Sequence, residues 1–185
     1  MKLPNVRVCG RLRPVANGLW YPHGCRVIDM ERYNPDRVAA LAHEYAQSHY
    51  FAAIGKREWL FQVGQHAGDI ERQLIADSYL FITAWNPALH VVDAAENHAA
   101  GERLQARVSA AGHPAYPALG CDADGGNIEC GLLVLNATLA TADAMACEFD
   151  QLGVLYWRHG EPVRLRMLAA QPPGFPAHSH IDWLG

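Results

Sequence analysis

The stretch Tyr79-Leu80-Phe81-Ile82-Thr83-Ala84 decides the fold of this chain, because it is an uncharged run of β-forming residues. A strand without alternation between polar and apolar residues is typically buried on both faces. We therefore predict that this run is the central strand of a sheet. Asn86-Pro87 follows it and ends the strand, since both residues favour turns.

The chain after this strand predicts the order helix, strand, strand, helix, strand. Asp93 and Glu96 have the spacing of a capping box, which starts the first helix. The turn-forming residues 122–127 join two strands into a hairpin. Thr141 can cap the second helix. Together with the central strand, these elements follow the split βαβ, ferredoxin-like pattern.

Elements outside this core are predicted to widen the sheet. Residues 49–54 and 59–63 form an N-terminal hairpin, preceded by a helix that starts at Asn34. Residues 163–167 alternate apolar side chains with arginines, which is typical of an edge strand with one wet face. We predict an α+β fold with a mainly antiparallel sheet, an extra N-terminal hairpin, a C-terminal edge strand, and helices mostly on one face.

Composition indicates a globular protein that is large enough to bury a hydrophobic core. Of its 185 residues, 50% are hydrophobic and 18% are charged, which excludes a disordered chain. We predict a single α+β domain over residues 34–168, with a basic N-terminal extension over residues 1–33 and a Pro-rich C-terminal tail over residues 169–185. The net charge of −4 argues against a general attraction to a polyanion or an anionic membrane.

The expected location is the cytoplasm, with no membrane partner. The N-terminus has no apolar segment of the kind that a signal peptide needs, and no apolar run approaches the ~20 residues that span a bilayer. Basic residues without any acid precede Asp29, so this arm could contact phosphates. Nucleic acid is therefore a possible partner, but it is not favoured because no nucleic-acid-binding motif is present. The sequence leaves the oligomeric state open.

Several motifs, taken in order, resemble an uncharacterised bacterial family. The most specific are Ile82-Thr83-Ala84-Trp85-Asn86-Pro87 and the later Glu96-Asn97 pair, and residues 120–125 and 149–151 also fit. The chain resembles the family catalogued as domain of unknown function 3293 over roughly residues 38–168. The resemblance implies the fold and supplies no reaction, so the function has to come from the residues.

Amide side chains stand at the ends of the predicted elements. Asn86 follows the central strand, Asn97 lies in the first turn of the next helix, and Gln151 ends the second helix. Carboxamides donate and accept hydrogen bonds, so they suit a nucleobase, an amide or a sugar edge. If the predicted topology holds, Asn86, Glu96 and Asn97 gather at one edge of the sheet, whereas the positions of Glu129 and Gln151 depend on strand register, which the sequence leaves open. Polar groups gathered at strand ends can form a pocket for a small polar ligand. The predicted ligand-binding residues are Thr83, Trp85, Asn86, Asn97 and Gln151.

Two glutamates are candidates for catalysis. Glu129 or Glu96 could act as a general base if desolvation raised its pKa. Each residue of this set also has a structural explanation, since the capping box alone accounts for Glu96. The acidic run from Asp122 to Glu129 is better explained as a hairpin turn than as a calcium loop, so no metal site is predicted. No cofactor is predicted, because no dinucleotide-binding, Walker or nucleophile-elbow motif is present.

These observations lead to three functional hypotheses. The leading one is a regulatory or accessory domain that binds a small polar ligand or a protein partner. The second is an enzyme that acts on a nucleotide-like or amide substrate with Glu129 or Glu96 as the base. The third is a nucleic-acid-associated module that uses the basic N-terminal arm.

Overall fold

A computed structural model describes residues 34–87 and 90–184. Within these ranges the chain forms four helices and eight strands. In chain order they are α1 (Pro35–Gln47), β1 (His49–Ile54), β2 (Arg57–Phe61), α2 (Gly68–Gln73), β3 (Ser78–Thr83), α3 (Ala94–Ala110), β4 (Ala115–Cys121), β5 (Glu129–Leu135), α4 (Leu139–Glu148), β6 (Gly153–Arg158), β7 (Arg164–Met167) and β8 (Ile181–Trp183). The basic N-terminal extension predicted for residues 1–33 lies outside the described residues.

The eight strands form one sheet in the order β2-β1-β4-β5-β3-β6-β7-β8. Every neighbouring pair is antiparallel except β7 and β8, which are parallel. β3 has β5 on one side and β6 on the other, and all six of its residues are buried. The structure therefore confirms a mixed α+β fold with a mostly antiparallel sheet and an internal third strand.

The two faces of β3 belong to two different hydrophobic cores. Tyr79 and Phe81 pack into the core that includes residues of α1 and α2, whereas Leu80 and Ile82 pack into the core that includes residues of α3 and α4. Successive strand residues point to opposite faces, so a strand that is apolar throughout needs a cover on each face. The predicted placement of the helices mostly on one face is not confirmed, since two helices lie on each face.

Side-chain caps fix the starts of three helices. Asn34 Oδ1 accepts a hydrogen bond from the Asp36 amide, and Asp93 Oδ1 accepts one from the Glu96 amide, as the sequence predicts. The cap of α4 is Thr138 instead of Thr141, because the Thr138 hydroxyl accepts from the Thr141 amide at 3.1 Å. That helix therefore begins three residues earlier than the sequence pattern indicates.

Residues 169–184, which the sequence sets apart as a tail, return to the sheet and add β8 beside β7. Arg164 donates two hydrogen bonds to the Asp182 carboxylate, at 2.7 and 2.6 Å. Phe175, Ile181 and Leu184 are buried. β7 thus lies between two strands, and the prediction that it is an edge strand is wrong. Its polar face is explained by ion pairs formed by its arginines.

Within residues 34–87 and 90–184, no helix combines the length and apolar character required to cross a bilayer.

Candidate functional site

A cavity of about 540 Å³ opens where β3 ends. Its wall combines residues of α1 and β1, the turn between β4 and β5, the chain after β3, and the start of β6. Ligand pockets in proteins typically measure roughly 300–1,000 Å³. The cavity is therefore large enough for a small molecule.

Three of the predicted site residues meet at this cavity in one hydrogen-bond network. Asn86 Nδ2 donates to Glu129 Oε1 at 2.6 Å, which joins the end of β3 to the start of β5. Asn97 Oδ1 accepts from the Asn86 amide at 2.9 Å, and Asn97 Nδ2 donates to Asn86 Oδ1 at 3.2 Å. The structure thus brings Asn86, Asn97 and Glu129 together, although 43 residues separate the first from the last.

Asn86 occupies a backbone conformation that few side chains adopt. Its φ of +49° lies in the left-handed region, which asparagine tolerates better than most residues. The Asn97 side chain bonds both the backbone amide and the side-chain oxygen of Asn86. The Val92 amide donates a further hydrogen bond to Asn86 Oδ1 at 3.3 Å. The network therefore fixes the orientation of the carboxamide that contacts Glu129.

Thr83, Trp85 and Gln151 also line the cavity. Their hydrogen bonds join side chains of Thr83 and Gln151 to backbone groups. The Thr83 hydroxyl donates to the Cys130 carbonyl at 2.8 Å and accepts from the Trp85 amide at 3.0 Å. Gln151 Nε2 donates to the Trp85 and Phe149 carbonyls at 3.1 and 3.2 Å. These contacts anchor the chain that leaves β3 and shape the wall around Asn86.

Glu96 does not belong to this site. Its side chain is exposed and is absent from the cavity lining, whereas the adjacent Asn97 is buried in the lining. Successive residues of an α-helix are rotated by roughly 100°, so neighbours in the first turn face different surroundings. Glu96 is therefore not positioned at this cavity, and its candidate role as a general base stays a prediction. Its amide donates to the Asp93 cap at the start of α3.

Glu129 differs from the other well-bonded carboxylates of the described chain. Both oxygens of Glu71, of Asp143 and of Asp182 accept hydrogen bonds. Only Oε1 of Glu129 accepts one from the described residues, and no described cation pairs with this carboxylate. Glu129 therefore has an oxygen that a ligand could use.

The surroundings raise the pKa of Glu129 above its ordinary value. The largest cause is desolvation by burial, the hydrogen bond from Asn86 opposes it, and the nearby negative charge of Asp122 adds to it. A carboxylate that is short of solvent and of a positive partner is costly to keep charged. Such perturbed groups are concentrated at functional sites.

Part of the wall comes from residues that the sequence did not single out as site residues. Tyr50 lies across Gly120, where an added Cβ would approach the ring at 3.1 Å. The Tyr50 hydroxyl donates to the Tyr45 carbonyl at 2.9 Å, and burial strongly raises the pKa of this phenol. Asn127 and Asp150 also line the cavity with positive φ. Sequence reasoning missed these residues because their positive φ angles are a property of the folded backbone.

Acidic, cysteine and histidine side chains do not form a metal site in the described ranges. No group of three or more of them is arranged to hold an ion.

Comparison with known families supports the resemblance that the sequence motifs indicate. The family model described as "Protein of unknown function (DUF3293)" matches residues 82–154. The matched segment contains Asn86, Asn97, Glu129 and Gln151, and so the whole hydrogen-bond network around Glu129. No curated protein and no solved structure gives a significant match.

Proposed function

We propose that the segment matched by this family model builds a binding site, and that the domain binds a small polar ligand in the cavity beside Glu129. One observation carries the proposal. Glu129 lines the cavity, and its Oε2 atom accepts no hydrogen bond from the described residues. Glu129 is only partly buried, so this oxygen is open to a ligand that enters the cavity, and a hydrogen bond to a charged group is stronger than one between neutral groups. A ligand that donates a hydrogen bond there would supply the missing partner.

The rest of the site supports binding because it is rigid before a ligand arrives. Asn86 is held by Asn97 at two atoms, and Gln151 bonds the carbonyl of the preceding Trp85. Preorganised groups lose little conformational entropy on binding, and this raises affinity. The carboxamides would thus position Glu129 and the chain around it, while Glu129 makes the direct contact.

The proposal includes the topology beneath the site. The central strands run in the order β4-β5-β3-β6 with antiparallel pairing throughout. α3 connects β3 to β4, and α4 connects β5 to β6. This order supports a split βαβ, ferredoxin-like core. A cytoplasmic location and a bacterial origin belong to the same proposal and rest on the sequence.

The direct test is a thermal-shift screen of the full chain against polar compounds of every charge class: amines, amino acids, sugars, nucleosides and carboxylates. A compound present at 100 times its dissociation constant should stabilise the protein by about 2.7 kcal/mol. We expect a hit with the wild type that Glu129→Gln weakens and the control Glu96→Gln leaves unchanged. The proposal fails if no class stabilises the protein, or if the hits are insensitive to Glu129→Gln.

A second candidate function is catalysis with Glu129 as a general base, and the raised pKa of that carboxyl favours it. A base is most effective when its pKa lies near the working pH. Compounds that bind in the screen would be incubated with the protein and analysed for products by mass spectrometry. An enzyme would lose turnover in Glu129→Gln even at compound concentrations that saturate the variant, whereas a binding module would give no product with either protein.

A further inference from the structure

The charges around Glu129 indicate which kind of ligand the cavity takes. Among the described residues that line it, four are acidic and one is basic: Glu44, Asp122, Glu129, Asp150 and Arg37. Arg37, Glu44 and Asp150 are exposed, so solvent screens their charges. Glu129 is partly buried and lies near a second negative charge, that of Asp122. The inner part of the cavity therefore disfavours an anion.

Aromatic rings form another part of the wall. Tyr45, Tyr50, Phe81 and Trp85 line the cavity. The Tyr50 and Phe81 rings pack edge to face, with centroids 5.1 Å apart. The faces of aromatic rings attract cations, and the attraction strengthens where water is excluded. An aromatic wall beside an unpaired carboxylate is suited to recognise an ammonium group.

The rim of the cavity exposes apolar side chains. Val91 is 90% exposed and Ile128 is 56% exposed, and both belong to the lining. They lie on different segments, one before α3 and one before β5. Exposed apolar groups that border a cavity are typical of ligand-binding surfaces. They would contact the apolar body of a bound molecule.

We infer that the ligand is a small organic cation, an amine with an apolar body, whose ammonium group binds the Glu129 carboxylate in this cavity, which aromatic rings also line. This inference rests on the proposed function, because it assigns a ligand class to the same cavity. The inference adds a prediction of the sign of the ligand's charge. An ammonium group also supplies the hydrogen-bond donor that Glu129 Oε2 does not receive from the described residues.

The test uses two matched series of probes with the full chain at pH 7.5. One series is 2-phenylethylamine, 2-phenylethanol and 3-phenylpropionate, and the other is butylamine, butanol and butyrate. Within each series the apolar body is similar and only the charge of the head group changes. Dissociation constants are measured by calorimetry for the wild type, Glu129→Gln, Asp150→Asn and the control Glu58→Gln, whose exposed side chain lies outside the cavity lining.

We expect the amine to bind at least about tenfold more tightly than the alcohol in one or both series, because a hydrogen bond to a charged group is stronger than one between neutral groups. Glu129→Gln should raise the dissociation constant of the amine about tenfold and leave that of the alcohol unchanged. Asp150→Asn should weaken the amine by about two- to threefold, since an exposed charge acts through solvent. Glu58→Gln should change nothing.

The inference is overturned if the alcohol or the carboxylate binds as tightly as the amine in both series, if no amine binds, or if folded Glu129→Gln keeps the full amine affinity. Should Glu129→Gln fail to fold, Asp150→Asn decides, because asparagine tolerates the positive φ at that position. A neutral or anionic hit in the thermal-shift screen that depends on Glu129 would keep the proposed function and reject only the cationic ligand. The absence of any hit would reject both.

Discussion

Two carboxylates at different places in the sheet have surroundings that shift their pKa values in opposite directions. Asp182, on the outermost strand β8, receives two hydrogen bonds from Arg164, and this guanidinium lowers the pKa of the carboxyl. Glu129, at the cavity, receives one hydrogen bond from the neutral Asn86, and burial raises its pKa. The first carboxylate holds the chain end on the sheet. The second is a carboxylate whose charged form is disfavoured by burial, and it is therefore the better candidate for function.

The comparison gives opposite pH dependences. Because the folded pKa of Asp182 is lower than its unfolded value, its contribution to stability is present above the unfolded value and is lost as the pH falls through the folded one. Because the folded pKa of Glu129 is higher than its ordinary value of 4.5, the folded state binds the proton more tightly. The free energy of unfolding then falls as the pH rises from 4.5 through the folded value.

The largest effect should come from a change that separates the strands carrying the site. An added Cβ at Gly131 would lie 2.5 Å from the Ile82 carbonyl oxygen, so Gly131→Ala should push β5 away from β3. Overpacking of this kind costs about 1–3 kcal/mol. Urea unfolding measures this loss of stability.

The same substitution at Gly101 in α3 is the control, since a Cβ there meets only an ordinary contact with Trp85 at 3.7 Å. Gly101→Ala should stabilise by up to about 1 kcal/mol, and equal losses in both variants would contradict the packing argument.

The next effect tests the paired carboxylate. Asp182→Asn removes the negative charge opposite Arg164, and the expected loss of stability is about 1 kcal/mol because the pair is only partly exposed to solvent. The acid-induced loss of stability should become shallower in the variant. Asp69→Asn is the control, as its ion pair with Arg72 is largely exposed and should contribute little. If both variants lose the same stability, the Asp182 pair does not hold β8.

A smaller effect of opposite sign tests the unpaired carboxylate. Glu129→Gln removes a charge that burial disfavours while keeping an acceptor for Asn86 Nδ2. The apo variant should be slightly more stable than the wild type at pH 7, and its free energy of unfolding should lose the decline above pH 4.5. Urea unfolding at several pH values measures both. A variant that is less stable at every pH would show that Glu129 is structural.

The smallest effect is expected at the other candidate glutamate. Glu96→Gln removes an exposed acidic side chain from the first turn of α3, so it should cost at most about 0.5 kcal/mol through the helix dipole. Circular dichroism during thermal unfolding measures the change. The variant should match the wild type in ligand binding, and a loss of binding would return Glu96 to the site.

Local patterns predicted most elements of this fold. The uncharged run around Leu80 identifies β3, and Asn34 and Asp93 mark helix starts, because these signals depend on neighbouring residues. The same reasoning failed at β7, because its alternating arginines are typical of an edge strand. In the structure β8 pairs with β7, and Asp182, 18 residues after Arg164, accepts a hydrogen bond from it. The reasoning also failed at α4, where two threonines three residues apart compete as the cap and the structure selects Thr138.

The sequence by itself determined most of the order of helices and strands, the internal position of β3, and the nearness of Asn86 to Asn97, because the spacing of apolar and turn residues specifies those features. Whether Glu129 joins them depends on strand register, which only the structure decided. Only the tertiary structure decided that Glu96 lies away from the cavity, that α1 and Tyr50 form its wall, and that one Glu129 oxygen accepts no hydrogen bond from the described residues. Those facts depend on strand register and on contacts between distant segments. Short-range patterns contain no information about which groups will meet across a cavity.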